Sequence, residues 1–110
     1  VGVWTGTSEA VVIGDPPHYM AGEAREPHLG SADFTLTLSG QDGRRIWGTF
    51  GSPGEEEPWL GVIWGDGEGL KGVDGDGYVE GRILDSDSME FCYTHTGGSM
   101  VASCVMLSRQ

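Results

Sequence analysis

From Asp33 to Ser39 the chain alternates without a break, with Phe34, Leu36 and Leu38 on one parity and Asp33, Thr35, Thr37 and Ser39 on the other. A period of two over seven residues predicts a half-buried strand. Gly2 to Ile13 predicts a long first strand, rich in β-formers and free of helical periodicity, with Val11-Val12-Ile13 apolar on both faces and Gly6 inviting a bend. Arg45–Phe50, Trp59–Trp64, Glu68–Val73, Tyr78–Leu84, Met89–His95 and Met100–Leu107 supply six more strands. Most links between them are short and rich in Asp and Gly, residues that reach positive φ cheaply. No amphipathic pattern of helical period is present. Eight strands joined mainly by tight turns pair with their sequence neighbours, which predicts an all-β, eight-stranded antiparallel up-and-down barrel. A two-sheet sandwich is the rival, but its crossovers need longer links than most of these.

Turn lengths set expected registers. A three-residue loop at 97–99 puts Cys92 opposite Cys104, Phe91 opposite Val105, Tyr93 opposite Ser103 and His95 opposite Val101. A type I turn at Gln41-Asp42-Gly43 puts Leu38 opposite Ile46 and Phe34 opposite Phe50. A continuous inner face then pairs Ile83 with Phe91, Gly81 with Tyr93 and Val79 with His95. Trp47 points outward in this register and, with Trp59 or Trp64, suggests a homodimer or higher homo-oligomer.

Residues 14–31 form the one long connection, where three prolines and three glycines oppose a regular helix, although Tyr19 to Arg25 could make one turn. Its length marks it as a lid. Ser52 to Pro58 is a polar loop, with Glu55-Glu56-Glu57 read as a solvated tip.

At 110 residues the chain forms one domain spanning 1–110. Seventeen acidic against six basic residues leave a net charge of −11, which disfavours nucleic acid and anionic membrane surfaces as partners. No apolar run approaches the ~18 residues of a membrane span. A start at Val1 instead of Met predicts that any leader has already been removed. Cys92 and Cys104 are candidates for a disulfide, which would imply a periplasmic or secreted location; as free wall thiols they would fit the cytoplasm.

Gly2-Val3-Trp4 resembles the Gly-x-Trp that opens the first strand of the calycins, the lipocalins and their avidin-like relatives. The resemblance implies that Trp4 closes one barrel end and packs against a basic side chain of the last strand. Arg109 has the inward parity of that strand and lies near its end, and guanidinium on indole is a favourable stack. The likeness covers the chain as architecture but only Gly2, Trp4 and Arg109 as motif. The biotin-site pattern of avidins is missing, so no ligand class is carried over.

The first loop and every second loop after it share one barrel end, which gathers 14–31, 52–57, 74–77 and 97–99 at a mouth. His18, His28 and His95 could meet there, with Asp74, Asp76 or Glu55 completing a metal set. The spacing follows no zinc signature, solvated histidines are preferred, and no metal or cofactor is expected. Asp74-Gly75-Asp76-Gly77 lacks the length and terminal Glu of a calcium loop and is read as a hairpin turn.

The expected function is binding of one small, mainly apolar ligand in a cup lined by Phe34, Leu36, Phe50, Phe91, Tyr93, His95 and Ser103. In the same cup, His95 as base and Tyr93 as acid would give a cofactor-free lyase, isomerase or cyclase. A filled structural barrel that mediates protein association is the third possibility.

Overall fold

A computed structural model describes residues 1–16, 18–19 and 26–110, so the expected turn at Tyr19 to Arg25 lies mostly outside the described residues. The described chain is all-β. Its strands are β1 (Gly2–Ile13), β2 (His28–Gly30), β3 (Asp33–Asp42), β4 (Arg45–Gly51), β5 (Glu57–Ile63), β6 (Gly69–Val73), β7 (Tyr78–Asp85), β8 (Ser88–His95) and β9 (Met100–Arg109). Every pairing is antiparallel, and β1 bonds to both β3 and β9, so eight strands close into a barrel with β2 as an extra strand outside the ring. Among the described residues no helix is long and apolar enough to cross a membrane.

Closure works because β1 divides its length between partners. Gly2 to Thr7 pairs with β3, while the stretch from Trp4 to Ile13 pairs with β9, and Ala10 to Val12 carries β2 on the other edge. The 14–31 connection, expected as a lid-like loop, therefore contains a short strand. Ser8, at the point where β3 departs, is fully buried but satisfied. Its hydroxyl accepts from Ala32 N at 3.1 Å and shares a 2.8 Å hydrogen bond with the Tyr19 hydroxyl.

The closing hairpin has the expected register, Cys92 opposite Cys104 and Tyr93 opposite Ser103, and the two cysteines form a disulfide on the outer wall. Two other registers differ from expectation. Phe50 pairs with Leu36 and Ile46 with Gln41, because the β3–β4 ladder shifts between Leu38 and Gly40 and the turn tightens to Gly43-Arg44. Val79 pairs with Tyr93 and Gly81 with Phe91, with a second irregularity between Ile83 and Asp85. The displacement is two residues at Phe50 and along β7–β8, while the odd, three-residue displacement at Ile46 is absorbed by the bulge between Leu38 and Gly40, so Phe34, Leu36, Leu38, Ile46 and Phe50 stay buried as expected.

Aromatic rings fill the interior. Phe34 stacks on Phe50 at 5.1 Å, Phe50 meets Phe91 at 5.5 Å, and Phe91 stacks on Trp59 at 5.4 Å. Trp59 thus lies inside the barrel and is no part of an outward tryptophan group. Room for its indole comes from Gly61 and Gly72, a cross-strand pair in which a Cβ on either residue would overlap the ring. Leu36, Leu70 and Leu107 complete a fully buried core around this column. One end is closed as the resemblance implies: the Arg109 guanidinium lies 4.9 Å from the Trp4 ring centroid, and the two residues are direct strand partners.

Candidate functional site

At the opposite end, inward-facing rows run out of the core and into charge. On β5 the inward parity of Trp59 also includes Glu57; on β6 that of Leu70 and Gly72 continues to Asp74; on β8 that of Phe91 and Tyr93 continues to His95. Each row ends in a titratable side chain where its strand meets the 52–57, 74–77 or 97–99 loop.

The first loop contributes His18, whose side chain is only 3% exposed and whose backbone has φ 73°, in the left-handed region. Its Nδ1 lies 2.6 Å from Ser52 Oγ and 3.3 Å from Glu55 Oε2, and Ser52 Oγ donates to that same carboxylate oxygen at 3.2 Å. A hydroxyl donating to Glu55 accepts from the imidazole, which places a proton on Nδ1 and makes Nε2 the lone-pair nitrogen of the neutral ring. Phe34 meets the His18 ring edge-on at 5.3 Å. Nearby, the Asp74 Oδ1 atom accepts from Asp76 N at 2.8 Å and Gly77 N at 2.9 Å. Asp76 in turn offers its carbonyl to His95 Nδ1.

Carboxylates outnumber donors here. Glu57 Oε2, Asp74 Oδ2 and the Tyr93 hydroxyl are buried without a hydrogen-bond partner among the described residues. A side-chain hydrogen bond with Asp76 pushes the Glu57 carboxyl up to about 7, helped by burial and by the charges of Asp76, Asp74 and Glu55. Two carboxyl groups share a hydrogen bond only when one of them is protonated, so the shift follows from the contact itself. Burial, then the charges of Asp74, Asp76 and Glu57, raise the Tyr93 phenol well above its ordinary value. His18, Glu57 and Asp76 each bring one donor atom within 4.8 Å of the others.

The structure brings part of the expected rim together. His18 and Asp76 meet and Glu57 joins them, while Glu55 contacts His18 through Nδ1; Glu57 is half-buried at the head of β5 and not at a solvated tip. The signal for Glu57 was its shared parity with Trp59. His28 lies on β2 opposite Val12. Tyr93 and Ser103 are cross-strand partners, yet Ser103 does not hold the phenol hydroxyl. A phenol raised this far is a weak proton donor near neutrality. Phe34, Leu36, Phe50 and Phe91 lie within the packed interior.

A second feature lies on the outer wall. Trp47, Leu60, Val73 and Tyr78 are successive direct partners across β4, β5, β6 and β7, so one apolar row crosses four strands. Leu60 and Tyr78 are 60% and 59% exposed. The row borders a concavity of about 680 Å³ that includes Val62. Ion pairs flank it, Lys71 with Glu80 at 3.9 Å and Arg82 with Glu68 at 3.8 Å.

Comparison with protein-family models, with curated proteins and with solved structures found no match to this chain.

Proposed function

We propose that this barrel acts through its outer wall, as a filled association module whose partner is a second copy of the same chain. The observation that carries the reading is the apolar row Trp47–Leu60–Val73–Tyr78, continuous across four strands while the interior is packed with its own aromatic rings. Apolar area kept in water is costly at roughly 25 cal/mol per Å², and two copies related by a two-fold axis would bury the row against itself.

Charge favours this face over the others. Strands β4–β7 carry three basic residues, Arg45, Lys71 and Arg82, and three acidic ones, Glu57, Glu80 and Asp85, so these strands are locally balanced on a chain of net charge −11. Like-charged copies meet with least repulsion there. The Trp4–Arg109 closure supports a calycin-type barrel as the scaffold. The stacked interior favours association over a small molecule held in the cup, because a ligand there would have to displace rings already in contact.

Sedimentation equilibrium over a range of concentrations tests the reading. A monomer–dimer equilibrium is expected, and Leu60→Asp should abolish it while leaving the near-ultraviolet circular dichroism unchanged. A monomer at every concentration, or a dimer untouched by Leu60→Asp, would overturn it. A small molecule retained in native mass spectrometry of the monomer would return the cup to first place.

A further inference from the structure

The rim group at the mouth is built like a ligand set before its ion is added. One imidazole and two carboxylates, from His18, Glu57 and Asp76, bring their donor atoms within 4.8 Å of one another. His18 is held for the purpose by groups behind it. Nδ1 is engaged by Ser52, and Ser52 by Glu55, so the tautomer and ring orientation are fixed and Nε2 is the nitrogen left over. A metal-binding histidine characteristically has its other ring nitrogen engaged in this way.

A second observation, independent of the acidic cluster, points to the same space. Tyr93 is only 4% exposed, and its hydroxyl has no hydrogen-bond partner among the described residues. Its ring comes up beneath the Asp74–Gly77 turn, close enough that a Cβ on Gly77 would stand 3.1 Å from Cζ. A buried hydroxyl without a partner costs roughly 1–3 kcal/mol, so its position calls for an acceptor or an ion. Glu57 Oε2 and Asp74 Oδ2 are likewise without a hydrogen-bond partner among the described residues.

We propose that His18, Glu57 and Asp76 bind a first-row divalent cation, Zn²⁺ or Mn²⁺, with the Tyr93 hydroxyl facing the ion. One nitrogen and a few oxygen donors suit these ions, whereas Ca²⁺ takes six to eight oxygens. The only cysteines are joined in the outer-wall disulfide and do not compete for the metal. Two positive charges at this point offset the carboxylates that the rim leaves without donors. The site is separate from the apolar wall, so either proposal can fail without the other.

The test uses the full chain, stripped with chelator and kept free of reductant. Titration with Zn²⁺ and with Mn²⁺ is followed by calorimetry, and the histidine nitrogens are followed in long-range ¹H–¹⁵N spectra during the Zn²⁺ titration. One equivalent should bind, with the largest nitrogen shift at His18 Nε2. Glu57→Gln combined with Asp76→Asn should weaken binding by more than about a hundredfold, since loss of a group merely supporting a ligand already costs about 10–100-fold. Asp66→Asn, at the other barrel end, should leave it unchanged. Absence of binding, equal affinity for Ca²⁺, a largest shift at His28 or His95, or binding that survives the double substitution would overturn the proposal. The spectra of the unmodified chain decide the matter even if the variant misfolds.

Discussion

The two ends of the barrel use the same turn to different effect. At the closed end Asp66 Oδ1 accepts from Glu68 N at 2.8 Å and Gly69 N at 3.1 Å, and Asp85 Oδ1 accepts from Asp87 N at 2.8 Å. Both carboxylates are exposed, and these backbone donors hold their pKa values below the ordinary aspartate range. At the mouth Asp74 makes the same turn, but its second oxygen is buried and unpartnered beside Glu57 and Asp76. Three equivalent turns thus yield two satisfied carboxylates and one that belongs to an excess of negative charge. An aspartate turn alone therefore marks only a hairpin; the inward row that the turn continues decides whether it contributes to a site.

If the closed end is structural, its loss should cost most. Trp4→Ala removes a buried indole and the platform for Arg109, and should lower the unfolding free energy by about 3–5 kcal/mol in urea titrations. A loss below 1 kcal/mol would mean that this end is not closed by the stack. Reduction of Cys92–Cys104, which spans twelve residues, should cost about 2–3 kcal/mol by freeing the unfolded chain. Because that bond lies on the outer wall, reduction should leave metal affinity at the mouth unchanged while the chain stays folded.

Removing charge at the mouth should do the opposite of removing the stack. Glu57→Gln should stabilise the metal-free chain at pH 8 by on the order of 1 kcal/mol after solvent screening. The sign follows from its pKa. The folded value of about 7 lies above the ordinary glutamate value of 4.5, so the folded state holds the extra proton between them. Stability is then greatest below pH 4.5, declines as pH rises towards 7, and is level above it. Asp76, Asp74 and Glu55 supply the opposing charge. Thermal midpoints of chelator-treated protein from pH 4 to pH 8 would show the decline in the parent chain and its loss in the variant. The smallest effect belongs to Asp66→Asn and Asp85→Asn. Their lowered pKa values stabilise the fold above the unfolded aspartate value, and that contribution fades as pH falls through the folded one. These variants should therefore be slightly weaker than the parent at pH 7 and no different in strong acid.

What the sequence made legible was what a period of two and a tight turn can encode. Alternation at Phe34-Thr35-Leu36 set the faces, and the 97–99 turn set the β8–β9 register outright. The ladder shifts near Ser39 and Leu84 are not written in local composition, so two registers slid while the buried faces of β3 and β4 survived. Strand β2 was invisible because its three residues include an 88% exposed Leu29, and its pairing comes from the exposed edge of β1. Trp59 was ambiguous within an apolar run; only the Gly61–Gly72 floor that accepts its ring assigns it inward. Glu57 was hidden by its acidic neighbours, and the approach of His18 depends on a left-handed residue in a long connection, which alternation cannot forecast.

On the proposed function the interior is structural and the chain interacts through its outer surface. A methyl-resolved NMR spectrum of leucine and valine, recorded from micromolar to millimolar protein, tests it most directly. The account predicts concentration-dependent shifts at Leu60, Val62 and Val73, with Leu36, Leu70 and Leu107 unchanged. Interior methyls that contact a bound small molecule, with wall methyls indifferent to concentration, would contradict it.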